Sequence, residues 1–290
     1  MKINKSILII CTSIMVFSCS ITRKQEKGYT STNDFYHKIS FSTAKSVIVL
    51  PVKINGIEKN FLFDTGADYN LIQRDSLIGT TGSYDGASKR EMKMGNEITK
   101  SMKIGNIDFI NTYSLNADLK GLKEQIVNFG GLIGQSIISK ANWLVDYPNK
   151  TLEISNKNLA NDSFQTIEIK REHGAPYTYI SINNTRYKVV IDFGSSSDFN
   201  LPKESKLAKQ LLKEYSFSER QRDRYTIGGL QNVTEKIGSV PLIKLGNLEF
   251  KNVETTINTS SQPRIGIGFF KNYIIYIDNL NGEYKLNKNK

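Results

Sequence analysis

Cysteine and histidine are almost absent from this chain. Its 290 residues contain two cysteines, Cys11 and Cys19, and two histidines, His37 and His173. Because both cysteines lie in the first twenty residues, the body of the chain has no thiol nucleophile, no disulfide and no Cys-built metal site. Two separated histidines do not make a zinc site, and they supply Ser-His-Asp chemistry poorly. Any catalysis is therefore expected to rest on carboxylates.

Proline and long apolar runs are also scarce. The chain has 6 Pro among 39% hydrophobic and 23% charged residues, which is the composition of a folded globular protein and excludes disorder and collagen. After residue 18 no stretch approaches the roughly 20 apolar residues that a membrane helix needs. The net charge is +11, and without Lys2 and Lys5 it is still +9 (11 − 2). The basic residues form no block and no nucleic-acid motif, which favours a solvated basic surface beside an anionic envelope.

The amino terminus has the pattern of a signal peptide. A short basic stretch precedes an apolar run, and Ser18 stands immediately before Cys19. The sequence Val16-Phe17-Ser18-Cys19 resembles the lipobox of bacterial lipoproteins, in which the cysteine is lipidated. This resemblance predicts a signal peptide over residues 1–18, a lipid anchor on Cys19, and a location at the cell envelope, periplasmic or on the outer-membrane surface. An ordinary secretory signal is the alternative. Residues 19–33 are polar and predict a tether.

The body of the chain is a sequence repeated. Three blocks of the first half recur in the same order in the second half. Each position of the first block recurs 128 residues later (192 − 64 = 128), without a gap. The first runs from Ile39 to Asp64 and recurs from Ile167 to Asp192; the second runs from Met102 to Phe109 and recurs from Ile243 to Phe250; the third sets Leu132–Gly134 and Trp143–Asp146 against Ile265–Gly268 and Ile275–Asp278.

Both halves are written in short alternating apolar runs with Asn-Gly, Gly-Asn and Asn-Asn turns, which predicts strands and hairpins. A helical pattern is confined to residues 203–214, where we expect a surface helix. The polar residues 155–163 mark the seam between the halves. We therefore expect a first lobe over 34–154, a linker over 155–163 and a second lobe over 164–290.

Each half carries an aspartate at the same position. Asp64 closes an apolar strand and is followed by Thr65-Gly66-Ala67, while Asp192 closes its counterpart and is followed by Phe193-Gly194-Ser195. A twofold relation between the lobes would place equivalent residues face to face near its axis. Glycine after a buried strand permits the tight turn that such an approach needs. The two carboxylates are thus expected to meet.

These motifs resemble those of the aspartic peptidases. Phe63-Asp64-Thr65-Gly66-Ala67-Asp68, with Gly131-Leu132-Ile133-Gly134 downstream, is especially similar to the retropepsin-like branch. The resemblance covers the chain after residue 33. It implies an all-β acid protease fold of two homologous retropepsin-like β-barrel lobes in a pseudo-twofold arrangement, both held in one monomeric chain as in the pepsin-like members. It implies no metal and no cofactor.

The resemblance also assigns roles. Asp64 and Asp192 would form the catalytic dyad. The residues expected to contact substrate are Thr65, Gly66, Asp68, Gly194, Ser195, Gly228 and Gly229. Hairpin flaps are expected at residues 225–230 and 81–86.

Two positions depart from the family pattern. Phe193 replaces the Thr or Ser whose hydroxyl steadies the dyad, and Gln135 stands where an Arg partner of Asp68 is expected. One side chain also suggests an asymmetry, since Ser195 could donate a hydrogen bond to the outer oxygen of Asp192 and keep that carboxylate charged.

The leading hypothesis is an envelope-anchored aspartic endopeptidase that hydrolyses peptide or protein substrates. The alternative is a catalytically impaired lipoprotein that binds peptide in the same cleft, and a third reading is a basic module that binds the envelope surface. Nucleic acid is not expected as a partner.

Overall fold

The protein is all-β, with several sheets and little helix. The computed structural model describes residues 21–85, 91–172 and 174–288, so the expected signal peptide, Cys19, His173 and the tip of the 81–86 flap lie outside the described residues. The strands, in chain order, are β1 (Tyr29–Thr30), β2 (Tyr36–Ser40), β3 (Ser42–Ala44), β4 (Val47–Ile54), β5 (Ile57–Phe63), β6 (Asn70–Gln73), β7 (Thr81–Asp85), β8 (Glu91–Ile104), β9 (Ile107–Ala117), β10 (Phe129–Ile133), β11 (Asn142–Asp146), β12 (Thr151–Ser155), β13 (Gln165–Ile167), β14 (Lys170–Glu172), β15 (Ala175–Ile182), β16 (Thr185–Asp192), β17 (Phe199–Pro202), β18 (Phe217–Thr226), β19 (Gly229–Leu245), β20 (Leu248–Asn258), β21 (Arg264–Gly266), β22 (Tyr273–Asp278) and β23 (Glu283–Lys288).

These strands form three sheets. The N-terminal sheet has the order β1-β9-β6-β10-β5-β4-β8-β7, with β3 added beside β4. The C-terminal sheet has the order β14-β15-β16-β21-β17-β20-β19-β18. A six-stranded mixed sheet, β13-β23-β22-β11-β12-β2, takes strands from both halves of the chain.

The N-terminal and C-terminal sheets repeat the same pairings. The strands β3 to β10 pair with one another as β14 to β21 do, including the closing contacts β4–β8 and β15–β19. Direction is kept as well, since β10 runs parallel to β5 and β21 runs parallel to β16. The sequence repeat is therefore matched by a repeat of strand pairing.

Hairpin turns form where the sequence predicts them. Asn55 and Gly56 join β4 to β5 with positive φ angles of 48° and 86°, and Asn183 and Asn184 join β15 to β16 at 49° and 61°. Asparagine and glycine tolerate this left-handed backbone, which suits the twist of paired strands.

The mixed sheet joins the two halves. Its central strands β11 and β22 pair antiparallel, with Trp143 opposite Ile277 and Val145 opposite Ile275. Trp143 is fully buried and lies between the rings of Phe63 and Phe109, at centroid distances of 5.2 and 6.3 Å. One continuous apolar core runs under this sheet and contains residues of both halves. Burial of such large rings from water is the main force that holds the halves together.

Helices are more numerous than the sequence pattern predicts. The expected surface helix spans Lys206–Glu214, begins at the capping side chain of Ser205, and buries Leu207 and Leu211. Further short helices form at residues 21–25, Lys120–Lys123, Gln135–Ile138 and, as a 3-10 turn, Ile267–Phe270. The prediction of a single helix was wrong because segments of one turn have no room to show a helical period.

The described part of the expected tether is packed against the N-terminal sheet. Gln25 is 8% exposed and its side-chain amide donates to the Asp68 carbonyl at 2.8 Å. The ammonium of Lys140 donates to the backbone carbonyls of Gln25 and Glu26, and β1 pairs with β9. Residues 21–33 are thus held by long-range hydrogen bonds, which a polar composition does not reveal.

Candidate active site

Asp64 and Asp192 stand at equivalent strand ends. Asp64 follows β5 and Asp192 ends β16, and each strand lies beside a parallel neighbour, β10 or β21. The turns after them are alike: the amides of Ala67 and Ser195 donate back to the carbonyls of Asp64 and Asp192, at 3.4 and 3.1 Å. Because the two turns are alike and follow equivalent strands, they place the two carboxyl groups next to each other.

The two carboxyl groups are in contact. A Cβ atom placed on Gly66 would lie 2.9 Å from Cγ of Asp192, and one placed on Gly194 would lie 2.7 Å from Oδ1 of Asp64. Each glycine therefore leaves the space that the opposite carboxyl group occupies, as the sequence motif predicts. The Asp64 side chain hydrogen-bonds to that of Asp192, and its Oδ1 accepts from the Gly66 amide at 2.9 Å.

Asp64 carries the raised pKa of the pair. Burial is the largest cause, and the charge and hydrogen bond of Asp192 add to it, so the pKa of Asp64 rises from 3.8 to about 8. The amide of Gly66 and the charge of Arg264 oppose this rise in pKa without cancelling it. Two adjacent carboxyl groups cannot both ionise readily, so one of them keeps its proton at pH values where an isolated aspartate is ionised.

An arginine that sequence reasoning missed sits on the dyad. Nη1 of Arg264 donates to Oδ2 of Asp192 at 2.5 Å, and both side chains are more than nine-tenths buried. A guanidinium at this distance stabilises negative charge on Asp192. The expected bond from Ser195 is not formed among the described residues, since its Oγ lies 3.4 Å from Oγ of Ser197. The partner of Asp192 is thus Arg264 and not the serine that the sequence suggested.

Strand register shows why Arg264 was overlooked. Ile133 pairs with Phe63 of β5, and Ile265 pairs with Ile191, the equivalent residue of β16. Ile265 therefore corresponds to Ile133, and Arg264 corresponds to Leu132. The sequence repeat sets the block 132–134 against 265–268, where repeated Ile-Gly pairs leave the register ambiguous. A register taken from the first glycine, Gly266, would have found the arginine.

One hydroxyl crosses between the halves next to the dyad. Oγ1 of Thr65, fully buried, donates to the carbonyl of Ile191 at 2.9 Å and accepts from the amide of Phe193 at 3.0 Å. Phe193 has no hydroxyl to return this bond, and its ring instead packs against Phe270 at 5.8 Å. Thr65 therefore connects the two halves by hydrogen bonds, whereas Phe193, at the equivalent position, contributes aromatic packing instead.

Gln135 supports the Thr65 turn. Its side-chain amide donates to the Thr65 carbonyl at 2.8 Å, while its oxygen accepts from Arg171 at 3.0 Å. Asp68 takes a different partner from the arginine of the family pattern, since its carboxylate accepts from the amide of Ala175 in β15. Burial raises the pKa of Asp68 to about 7 despite this bond.

The dyad lies at the floor of a cavity of about 450 Å³ between the two large sheets. The hairpin β18–β19 covers it, with Gly228 and Gly229 at the tip that the sequence predicts as a flap. This tip touches the helix Lys120–Lys123, because a Cβ on Gly121 would lie 2.9 Å from Cα of Gly229. The ammonium of Lys45 lies 3.6 Å from the ring centroid of Tyr225 and ties the hairpin to the opposite sheet.

Of the residues expected to contact substrate, the cavity is lined by Gly66, Asp68, Gly194 and Ser195, together with both dyad aspartates. Thr65 lies below the cavity and supports it. Within the described ranges no three His, Cys, Asp or Glu side chains are grouped so as to hold a metal ion. No helix of the described ranges is long and apolar enough to cross a membrane.

The chain matches no protein-family model, and no curated protein is similar to it in sequence.

Proposed function

We propose that the protein is an aspartic endopeptidase with two retropepsin-like lobes in one chain. The observation that carries this proposal is the contact between Asp64 and Asp192, two aspartates at equivalent strand ends that share a hydrogen bond at the floor of a cavity. The repeated pairings of the two large sheets support the two lobes. The antiparallel pairing of the equivalent strands β11 and β22 supports the pseudo-twofold, because such an axis relates each of these strands to the other.

The reaction follows from the protonation of the pair. Asp192, charged beside Arg264, takes a proton from a water molecule whose oxygen bonds to the scissile carbonyl carbon. Asp64 gives its proton to the carbonyl oxygen, which produces a tetrahedral gem-diol. Breakdown reverses both transfers: the carbon–nitrogen bond breaks as the nitrogen takes the proton from Asp192, and a gem-diol hydroxyl returns its proton to Asp64.

The cavity suits an extended peptide. The glycines at 66 and 194 offer backbone beside the dyad, and the β18–β19 hairpin covers the reacting bond from above. Exclusion of water under such a cover strengthens the electrostatic interactions of the dyad.

We further propose that the protein is anchored at the bacterial envelope through lipid on Cys19. The lipobox-like sequence before Cys19 supports this location, and the basic surface suits an anionic membrane. The folded residues begin almost immediately after this anchor, since residue 21 is already helical and packed. The cleft would therefore be held close to the membrane surface.

A transition-state analogue tests the proposal. A peptide that carries a statine-type secondary hydroxyl in place of the scissile bond mimics the gem-diol and binds an aspartic dyad far more tightly than its amide counterpart. Calorimetry should show this preference in the wild type and its loss in Asp192→Asn. Equal affinity for hydroxyl and amide peptides would contradict a catalytic dyad.

Phe193 and the Arg264–Asp192 ion pair favour a second candidate, a peptide-binding protein whose dyad does not turn over. Mass spectrometry of new chain termini in an unstructured protein mixture separates the two. The endopeptidase produces termini that are absent with Asp64→Asn, whereas the binding protein produces none.

A further inference from the structure

The two sides of the cavity differ in chemistry although their strands correspond. On the N-terminal sheet, Leu132 pairs with Leu71 across β10 and β6, and Leu71 pairs with Leu115 across β6 and β9. All three side chains line the cavity. They belong to a buried apolar cluster that continues the lining.

On the C-terminal sheet the same positions are polar. Arg264 pairs with Asn200 across β21 and β17, and Asn200 pairs with Thr256 across β17 and β20. Three leucines on one side of the cavity are thus replaced by arginine, asparagine and threonine on the other. Arg264 and Asn200 line the cavity.

The covering hairpin adds more charge to that side. Arg220, Arg222 and Arg224 alternate along β18 and are partly buried, while Asp223 between them is exposed and accepts from Asn232. Arg222 and Arg224 line the cavity. Period-two alternation places the three arginines on one face of the strand, and Asp223, on the other face, also borders the cavity.

These cations outnumber the carboxylates that they meet. Glu235 is fully buried and forms ion pairs with both Arg220 and Arg222, at 2.6 and 2.7 Å. Arg264 pairs with Asp192. Arg224 has no carboxylate within 4.0 Å in the described part of the chain. Burial and repulsion from Arg264 and Arg222 lower the pKa of its guanidinium.

Several polar atoms of this side are buried without a partner among the described residues. They are Nη1 of Arg224, Nε of Arg264 and Oδ1 of Asn200, and the whole Asn200 residue is only 2% exposed. Unpaired buried donors and acceptors are costly and rare in folded proteins. Two of these atoms are guanidinium donors, and unpaired donors beside excess positive charge form a place prepared for an anion.

We propose that the C-terminal side of the cavity, where Arg222, Arg224 and Arg264 lie, is a subsite for an acidic side chain of the substrate. The facing side, formed by the leucines, takes an apolar side chain. Cleavage would then be directed to bonds flanked by one acidic and one apolar residue. This proposal rests on the proposed peptidase function, because it places both side chains on a peptide that spans the dyad.

Binding to a catalytically inactive variant tests the subsite apart from turnover. Asp64→Asn protein is titrated with fluorescent peptides that carry Leu next to Glu, Gln or Lys, in both orders. We expect the Glu peptide to bind about tenfold or more tightly than the Gln peptide, since charge-assisted hydrogen bonds replace unpaired donors. Equal affinities for Glu, Gln and Lys peptides would overturn the subsite.

A charge reversal identifies the residue. Arg224→Glu, made in the Asp64→Asn background, should abolish the preference for Glu and bring the Lys peptide to equal or tighter binding. Lys236→Glu is the matched control, because it makes the same change of net charge at an exposed residue of the same hairpin. If Lys236→Glu alters the preference as much as Arg224→Glu does, general attraction to a basic protein explains the result and the subsite is refuted.

Cleavage by the wild type separates the two proposals. New termini without any acidic preference would refute the subsite and leave the peptidase standing. Charge-selective binding without new termini would refute the peptidase and leave an acidic-peptide site.

Discussion

Replacing Asp64 with asparagine should change how the stability of the protein depends on pH. The folded-state pKa of Asp64 is about 8, against an ordinary value of 3.8, so between these limits the folded protein holds a proton that the unfolded chain releases. For a carboxyl group shifted upward, the stabilisation is fully present below pH 3.8 and is lost as pH rises toward 8. Asparagine carries no titratable proton and removes this slope.

The magnitude follows from linkage. One bound proton changes the free energy of unfolding by about 1.4 kcal/mol per pH unit. Between pH 5 and pH 7 the wild type should therefore lose about 3 kcal/mol relative to Asp64→Asn. Asp68, whose pKa is also raised, remains in both proteins and cancels in the comparison.

Urea unfolding at pH 5, 6 and 7 measures this difference. Asp162→Asn, an exposed aspartate between the halves, is the control and should follow the wild type. If the stability of Asp64→Asn parallels that of the wild type across this pH range, Asp64 does not hold the proton and the charge assignment within the pair is wrong.

Four other predictions concern the site and the proposed anchor. Thr65→Val removes two buried cross-sheet hydrogen bonds and should lower the free energy of unfolding by about 1–3 kcal/mol, measured by urea titration, while Thr65→Ser should recover most of it; equal stability of all three proteins would show that the cross-connection does not matter. In the wild type kcat/KM should fall as pH rises through about 8, where Asp64 loses its proton. At low pH kcat/KM should fall again, and Ser195→Ala should not move this acidic fall, because the Ser195 hydroxyl does not reach the dyad. A shift of the acidic fall in Ser195→Ala would show that Ser195 does act on the dyad. Cys19→Ala should leave the protein soluble or unprocessed in detergent partitioning, and recovery of normally processed protein in the detergent phase would exclude a lipid anchor.

The pairing of Asp64 with Asp192 could be predicted because it is written into a repeated motif with one offset. The strands and turns that carry it, such as Asn55-Gly56, depend on local backbone preference and were predicted as well. Asp146 and Asp278, which end the third repeated block, hold equivalent turns, since each carboxylate accepts from a backbone amide three residues later.

The chemistry around the dyad depends on register and on long-range contacts, which local patterns do not show. Arg264 meets Asp192 across 72 residues of sequence, and the repeated Ile-Gly pairs hid its position. The docking of residues 21–33 depends on single hydrogen bonds such as that from Gln25 to Asp68, which no period or composition marks.

The central claim is that Asp64 and Asp192 act as one unit in hydrolysis. The most direct measurement is kcat/KM on a cleaved peptide for the wild type, Asp64→Asn, Asp192→Asn and the double variant. When two residues share one proton, replacing either one removes the function of both. The kcat/KM of each single variant should therefore fall about a thousandfold or more, and that of the double variant should be no lower than either. Activity retained in a single variant, or losses that multiply in the double variant, would contradict the shared dyad.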